Sequence, residues 1–375
     1  SYDECKTWPV NKALEPGYSA YSDVAVLADG TILCFYERGR EADAERKKPT
    51  SYAYLTLARF NLEWLTDGKD VPALDQRTNY GAQRDDFEVA GCEAFVSFAS
   101  ATNQWLSGFR GSTSAIIVTQ GDAVFLNDFR YTEQAATQVK GFTRQEVPGN
   151  IQVRAGEKLA ALGAASVAFE PGYMTVAELD YVKSSYSGQL KPVPDIIGPL
   201  RMVKSKAEID TIRAAGQLAE GVLADLIEDL KPGITERELA AEFEYEFKAR
   251  GASGASFDTI ALFGARGSLP HGQPGDKPLE HGDIVLLDFG CKLDGYCSDL
   301  TRTFAFGTIP GAWFEEIYRL TLTAQRRALE AIGPGKLCRE VDAVARDLIT
   351  QGGHGEHFGH GLGHGVGIEI HESPR

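Results

Sequence analysis

Asp283-Ile-Val-Leu-Leu-Asp-Phe-Gly-Cys-Lys-Leu-Asp-Gly-Tyr-Cys-Ser-Asp-Leu-Thr-Arg-Thr-Phe304 reads as two strands joined at Asp294-Gly295. Asp-Gly between two strand-like runs is a strong hairpin signal, because the favoured two-residue turn needs positive φ at its centre. With that turn, Asp288 lies opposite Thr301. Asp299 stands two residues before Thr301 and so points to the same face. The two carboxylates are then diagonal neighbours, roughly 7–8 Å apart at the backbone. One or two hard cations fit between such side chains. Without a cation the pair repels itself, and one member takes up a proton. Two aspartates at sheet ends facing water would give the same spacing, and spacing alone leaves both readings open.

Working outward, the chain has 375 residues, a net charge of −15 and a hydrophobic fraction of 43%. That is enough for two or three domains with a sizeable core. An acidic chain without a basic stripe argues against nucleic acid as a partner. No apolar run is long enough for a membrane span. The sequence starts at Ser1 and shows no secretory signal, which implies processing or a fragment. Six cysteines are scattered without a CxxC pair, and reduced thiols are the simpler expectation even for Cys291 and Cys297, which flank the turn.

All seven histidines lie between His271 and His371, so any imidazole chemistry belongs to the C-terminal third. Three of them fall in Gly359-His360-Gly-Leu-Gly-His364-Gly-Val-Gly-Ile-Glu-Ile-His371-Glu372. Glycine at 359, 361, 363, 365 and 367 makes a helix improbable there, so His360 and His364 are not the zinc pair of a helical HExxH motif. A glycine-rich loop running into a strand lets backbone approach a ligand closely. With Leu269-Pro270-His271-Gly272, Asp288 and Asp299, four features of the sequence converge on one candidate site.

The wording LPHG, IVLLDFG, GYCSDLTRTF and GHGLGHGVGIEIHESPR is similar to that of the pita-bread metallopeptidases, and closest to short Xaa-Pro aminopeptidases and prolidases. The resemblance covers about residues 87–375. It implies that Asp288 chelates one metal, Asp299 bridges two and His364 holds the second. His271, His360 and His371 would be the outer catalytic groups that orient the substrate. The implied cofactors are two divalent ions, manganese first, with cobalt or zinc as alternatives; an oxygen-rich set with one imidazole suits such a borderline ion. The implied substrates are short peptides with proline at the second position, the implied assembly is a homodimer, and the implied compartment for this part is the cytoplasm. The family also uses two glutamates on strands downstream of the histidine motif. The sequence stops four residues after His371, and Glu369 and Glu372 are too near the motif to serve. The expectation is therefore a C-terminally truncated site with weak metal binding and little peptidase activity.

Earlier segments follow the same order. Residues 1–70 read as β-rich, with strand-like runs at Val24–Leu27 and Thr31–Tyr36 around an Ala28-Asp29-Gly30 turn. Ser1 to Trp8 resembles the Asp-box of sialidases, with Cys5 where the box has glycine, and Ala20-Tyr21-Ser22-Asp23 with Tyr36-Glu37 resembles the segment around their catalytic tyrosine. That resemblance implies Tyr21 as nucleophile and Glu37 as partner of a substrate-binding arginine, and it would imply export. It covers only the tail of a propeller, so an orphan blade with an ordinary Tyr21 is the reading preferred for activity. Residues 71–86 read as a linker or a frayed first helix. Residues 87–198 alternate strands and helices, an α/β layer, and "WLSGFRGS" with "NDFRYTEQA" resembles the creatinase and Xaa-Pro peptidase N-terminal domain. There the resemblance would let Trp105, Phe109 and Arg110 reach a neighbouring subunit's active site, with core packing the preferred reading for Trp105 and Phe109. Residues 199–375 carry helices from Ser205 and from Thr235, each with Glu three residues on as a capping box, and helices near 313–332 and 337–350 around the hairpin, an α+β domain. A sialidase tail and a non-catalytic binding member of the pita-bread fold are the competing functions. Whether the two parts are a natural fusion stays open, as does aminopeptidase against dipeptidase.

Overall fold

The computed structural model describes residues 91–374 in full and, ahead of them, the backbone of three strands: β1 (Ser19–Val26), β2 (Thr31–Arg38) and β3 (Tyr54–Asn61). These pair in the order β1-β2-β3, all antiparallel, and the register slips between Ala20 and Ser22. The side chains of Tyr21 and Glu37, the Ser1 to Trp8 stretch and the linker at 71–86 lie outside the described residues. The chain divides into two compact units, one holding β1–β3 with Gly311–Gly363 and the other holding 91–310 with 364–374.

In the larger unit, β4 (Ala94–Ser97), β5 (Ala115–Thr119), β6 (Ala123–Asn127), β7 (Thr143–Glu146), β8 (Ser166–Phe169) and β9 (Gln189–Pro192) form one mixed sheet in the order β7-β6-β5-β4-β8-β9. Alternation sends Phe95, Ile116, Val118 and Phe125 to one face and Val96, Ile117, Val124 and Leu126 to the other. Helix α1 (Ser100–Ser107) covers the first face with Trp105 and Leu106; α3 (Ile151–Ala161) and α4 (Val176–Lys183) cover the second, after the short α2 (Thr132–Gln138). Trp105 and Phe109 are buried in this core, so they pack at home. Helix α1 is not apparent in the sequence: Gly108 ends it in the left-handed region at φ 82, but no side chain caps its start.

After α5 (Gly198–Met202) come α6 (Lys206–Glu228) and α7 (Glu236–Ala249). Both have the expected capping boxes, Ser205 with Glu208 and Thr235 with Glu238. They pack Val222, Phe243 and Phe247 on an antiparallel sheet of β11 (Ile260–Phe263), β12 (Ile284–Phe289) and β15 (Leu300–Ala305), with the little β10 (Gly254–Ala255), β13 (Cys291–Leu293) and β14 (Tyr296–Cys297) beside it. In β12 Val285, Leu287 and Phe289 are buried, which leaves Asp288 on the other face.

The smaller unit pairs α8 (Ala312–Ala331) with α9 (Cys338–Gln351) over a seam of Ala324, Ala328 and Ala345. One expectation is corrected: among the described residues no strand follows the glycine-rich loop. Only an isolated bridge joins Gly365 to Glu372, because the chain doubles back within seven residues and has no partner strand to extend along.

Candidate metal centre

The hairpin forms in the expected register. Asp294 and Gly295 both have positive φ, 48 and 86, and Leu293 pairs with Tyr296 around them. Farther down, Asp288 pairs with Thr301. The ladder is interrupted between these two stretches. A Cβ on Gly290 would lie 1.9 Å from the Ser298 carbonyl oxygen, so the strands press together there and only glycine fits. Asp299 follows directly. The tip of the hairpin docks on α1: Gln104 donates to the Gly295 carbonyl at 3.1 Å, and Arg110 meets Asp294 at 2.6 Å. Arg110 therefore serves its own chain's hairpin. Cys291 and Cys297 are both buried free thiols, and the pairing sets Cys297 opposite Lys292 rather than Cys291.

Asp288 and Asp299 share surroundings. Thr301 donates its hydroxyl to Asp288 at 2.8 Å. Burial pushes the Asp288 carboxyl up; the Thr301 hydroxyl pulls it down, the Asp299 charge adds to the rise, and His271 and His364 oppose it. Burial also pushes Asp299 up, against His364 and His371. His364 Nε2 stands 3.4 Å from Asp299 Oδ2, and the His364 and His371 rings lie 4.3 Å apart edge to face. The structure thus brings Asp288, Asp299, His271, His364 and His371 into one electrostatic neighbourhood. His360 belongs to the other unit, where Arg346 donates to its carbonyl at 2.7 Å.

Among the described residues these side chains do not close into a group of three at metal-ligand spacing. Their chemistry still fits a divalent ion. Two half-buried carboxylates of like charge, with one imidazole beside them, form an oxygen-rich set whose repulsion a cation relieves.

Sequence reasoning missed the supports. His271 sits on the loop after β11, and that loop is tied to Glu236 in the first turn of α7. Fully buried, Glu236 accepts from the N–H groups of Phe263 at 2.9 Å and Gly275 at 2.8 Å and from Arg266 Nε at 2.9 Å. Acidic residues in a first turn are common, and Glu236 carried no other mark. The second support is Asp342 with Arg346, four apart on α9. Arg346 reaches the Phe358 and His360 carbonyls, both at 2.7 Å, while Asp342 Oδ1 accepts from the Leu362 N–H at 2.9 Å. An Asp and an Arg at helical spacing were legible as a pair, but their loop target was not.

This second support gives a pH prediction. The Arg346 side chain foremost, with the Leu362 N–H assisting against burial, holds Asp342 below its ordinary value of 3.8. Its contribution is present above 3.8 and is lost as pH falls through the lowered value. The Leu362 amide proton shift, followed by NMR, is expected to titrate with a midpoint below 3.8; a midpoint at or above it would contradict the contact.

Comparisons with known proteins give the family. The profile for metallopeptidase family M24 matches residues 210–375, and that for the creatinase/prolidase N-terminal domain matches residues 82–203. An uncharacterized peptidase of Bacillus subtilis, YqhT, is 38% identical over 289 residues, 77% of this chain and 82% of that protein. A Xaa-Pro dipeptidase of Pyrococcus furiosus is 43% identical over 196 residues, 52% of this chain and 56% of that protein. Among solved structures, a Xaa-Pro dipeptidase from Bacillus anthracis superposes with a TM-score of 0.75 at 35% identity, over 79% of this chain and 83% of that one.

Proposed function

The chain belongs to metallopeptidase family M24, and from that premise we propose that its site hydrolyses the peptide bond between an N-terminal residue and proline. The observation that carries this reading is the placement of His364 against Asp299 on a hairpin whose register sets Asp288 beside it. Relatives named for Xaa-Pro dipeptides support the substrate class.

In this reading Asp288, Asp299 and His364 would hold the divalent ions, with Asp299 shared between them, and the bound ions would supply a water acidic enough to act as a nucleophile at neutral pH. His371, edge to face with His364, and His271, close enough to bear on Asp288, orient the scissile carbonyl and the proline-side backbone. They also donate to the charge that develops on the carbonyl oxygen. The same role for His360 rests on the resemblance. The three ligands proposed are Asp288, Asp299 and His364; the two glutamates that the resemblance adds are not among residues 1–375. Manganese, a homodimeric assembly and the domain boundaries at 87–198 and 199–375 belong to the same proposal. Among the described residues no helix is long and apolar enough to cross a membrane.

The test is hydrolysis of Xaa-Pro against Xaa-Ala peptides with added Mn²⁺, with and without a chelator, on these residues and on protein that also carries the two glutamates. Cleavage confined to proline substrates and abolished by the chelator is expected. Cleavage that survives chelation would sink the metal mechanism, and equal cleavage of Xaa-Ala would sink the proline assignment.

A second reading concerns residues 1–70. Three eight-residue antiparallel strands in a row, with the backbone of Glu37 opposite Ala20 beside Tyr21, support the sialidase-blade resemblance. No sialoside hydrolysis is expected from one blade, and release of sialic acid that Tyr21→Phe abolishes would overturn that expectation.

A further inference from the structure

Residues 364–372 carry two imidazoles of the centre on very little regular structure. Gly365 and Glu372 exchange both backbone bonds, N–H of each to carbonyl of the other, at 3.0 and 2.9 Å. Everything between them is loop. The Cys297 N–H also donates to the Gly367 carbonyl at 2.7 Å and ties the middle of the loop to β14; these backbone bonds set the path of the loop but not the side chains at its two ends, where His364 and His371 stand ring to ring.

The Glu372 carboxylate supplies the missing hold. It folds back across the loop, where Oε1 accepts from the Glu369 N–H at 3.1 Å. A Cβ on Gly367 would come within 2.5 Å of Oε2, so glycine makes room for it. Two cations from the segment between the sheet domain and α6 then grip the same carboxylate. Arg201 Nη2 bonds Oε1, and Lys204 Nζ lies 2.9 Å from Oε2. Arg201 also meets Glu369 Oε2 at 2.9 Å, and that oxygen accepts from the Tyr173 hydroxyl at 2.9 Å. The side chains of Arg201 and Glu372 are each 6% exposed and that of Lys204 11%, so these charges face one another with little water between them. Two separate stretches of chain, at Tyr173 and at Arg201 with Lys204, are thereby tied to the loop.

We propose that Arg201 is a positioning residue for the metal centre: through Glu372, and with Lys204 beside it, Arg201 closes the 365–372 loop so that His364 and His371 are presented together to Asp299. Arg201 touches neither substrate nor metal in this arrangement. The proposal rests on the metal-centre reading for its purpose but not for its geometry, so the two can fail separately.

The experiment uses the whole 375-residue chain with labelled histidine. The first readout, taken without metal, is the NOE between the His364 and His371 ring protons. The second is Mn²⁺ affinity by EPR. Arg201→Met and Glu372→Gln are expected to lose the NOE and to weaken Mn²⁺ by about tenfold, the size usual for supports behind a ligand. Amide shifts in β4–β9 should stay in place. Arg201→Lys is expected to recover most of both readouts, which a general loss of stability would not do. Should Arg201→Met fail to fold, Glu372→Gln decides alone, since the amide keeps the shape of the side chain. An unchanged NOE and affinity in either folded variant would overturn the proposal, as would an Arg201→Lys protein no better than Arg201→Met. A wild type with the NOE but without Mn²⁺ binding would leave the positioning role standing, with the NOE as its deciding readout, and would count against a metal centre formed by these residues alone.

Discussion

Glu236→Ala is expected to destabilise the protein by about 1–3 kcal/mol, the cost of leaving buried backbone donors without an acceptor. The side chain is fully buried and its two oxygens serve two backbone N–H groups and the Arg266 guanidinium. Alanine leaves the Phe263 N–H without an acceptor in a place water does not reach, and the Gly275 N–H and Arg266 without their shared partner. It also removes a negative charge from the positive end of α7. Arg266 in turn donates to the Gln273 carbonyl at 2.6 Å, so the loop that carries His271 loosens at the same time. Urea unfolding is the measurement, with Glu238→Ala as the companion. Glu238 completes the capping box two residues away but is exposed. Equal midpoints for the two variants would show that Glu236 is only another cap.

Asp299→Ala is expected to lower Mn²⁺ retention by two orders of magnitude or more, because it removes the one carboxylate assigned to both ions. Asp299→Asn should do nearly the same, since an amide is a poorer ligand for a hard cation. The metal-free protein should respond in the opposite sense. Burial raises the Asp299 carboxyl, so in the folded state its ionised form is disfavoured. That penalty is present above the raised value and fades as pH falls toward 3.8. Near neutrality, metal-free Asp299→Asn should therefore melt at a higher temperature than wild type and bind less metal. A carboxylate kept at a cost to the fold is what a functional site requires. An equal Mn²⁺ dissociation constant for wild type and variant, by EPR titration, would remove Asp299 from the ligand set. A lower melting temperature for metal-free Asp299→Asn would mean that Asp299 is a structural partner of His364 instead.

Much of this centre was legible before any coordinates, and the reason is local. The register that opposes Asp288 to Thr301 follows from a turn signal and a period of two, both of which act over a few residues. Capping boxes at Ser205 and Thr235 act over one turn of helix and were equally readable. What the sequence hides acts across distance. Glu236, Arg201 and Glu372 look like ordinary surface charges in a chain with 24% charged residues, and only burial separates them from the rest. Helix α1 was hidden for another reason: its start lacks a capping side chain, and its buried face includes Thr102, Asn103 and Ser107. The glycine-rich loop gave its histidines away but not its end, because a bridge closed by a distant arginine has no pattern of its own.

The contacts of the hairpin tip and the histidine loop set an order of assembly. Gln104 waits for Gly295, Tyr173 for Glu369 and Arg201 for Glu372, separations of 191, 196 and 171 residues. Closures of this span are slow relative to the local pairing of a sheet. As the chain leaves the ribosome from its N-terminus, the sheet of β4–β9 is complete while Arg201 still lacks its acids. The proposed metal ligands meet only when residues 364–372 have been synthesised, so the centre forms after the sheet of β4–β9 that supports it. A nascent chain stalled at residue 360 would carry a folded first domain beside two aspartates with no imidazole from this loop to face.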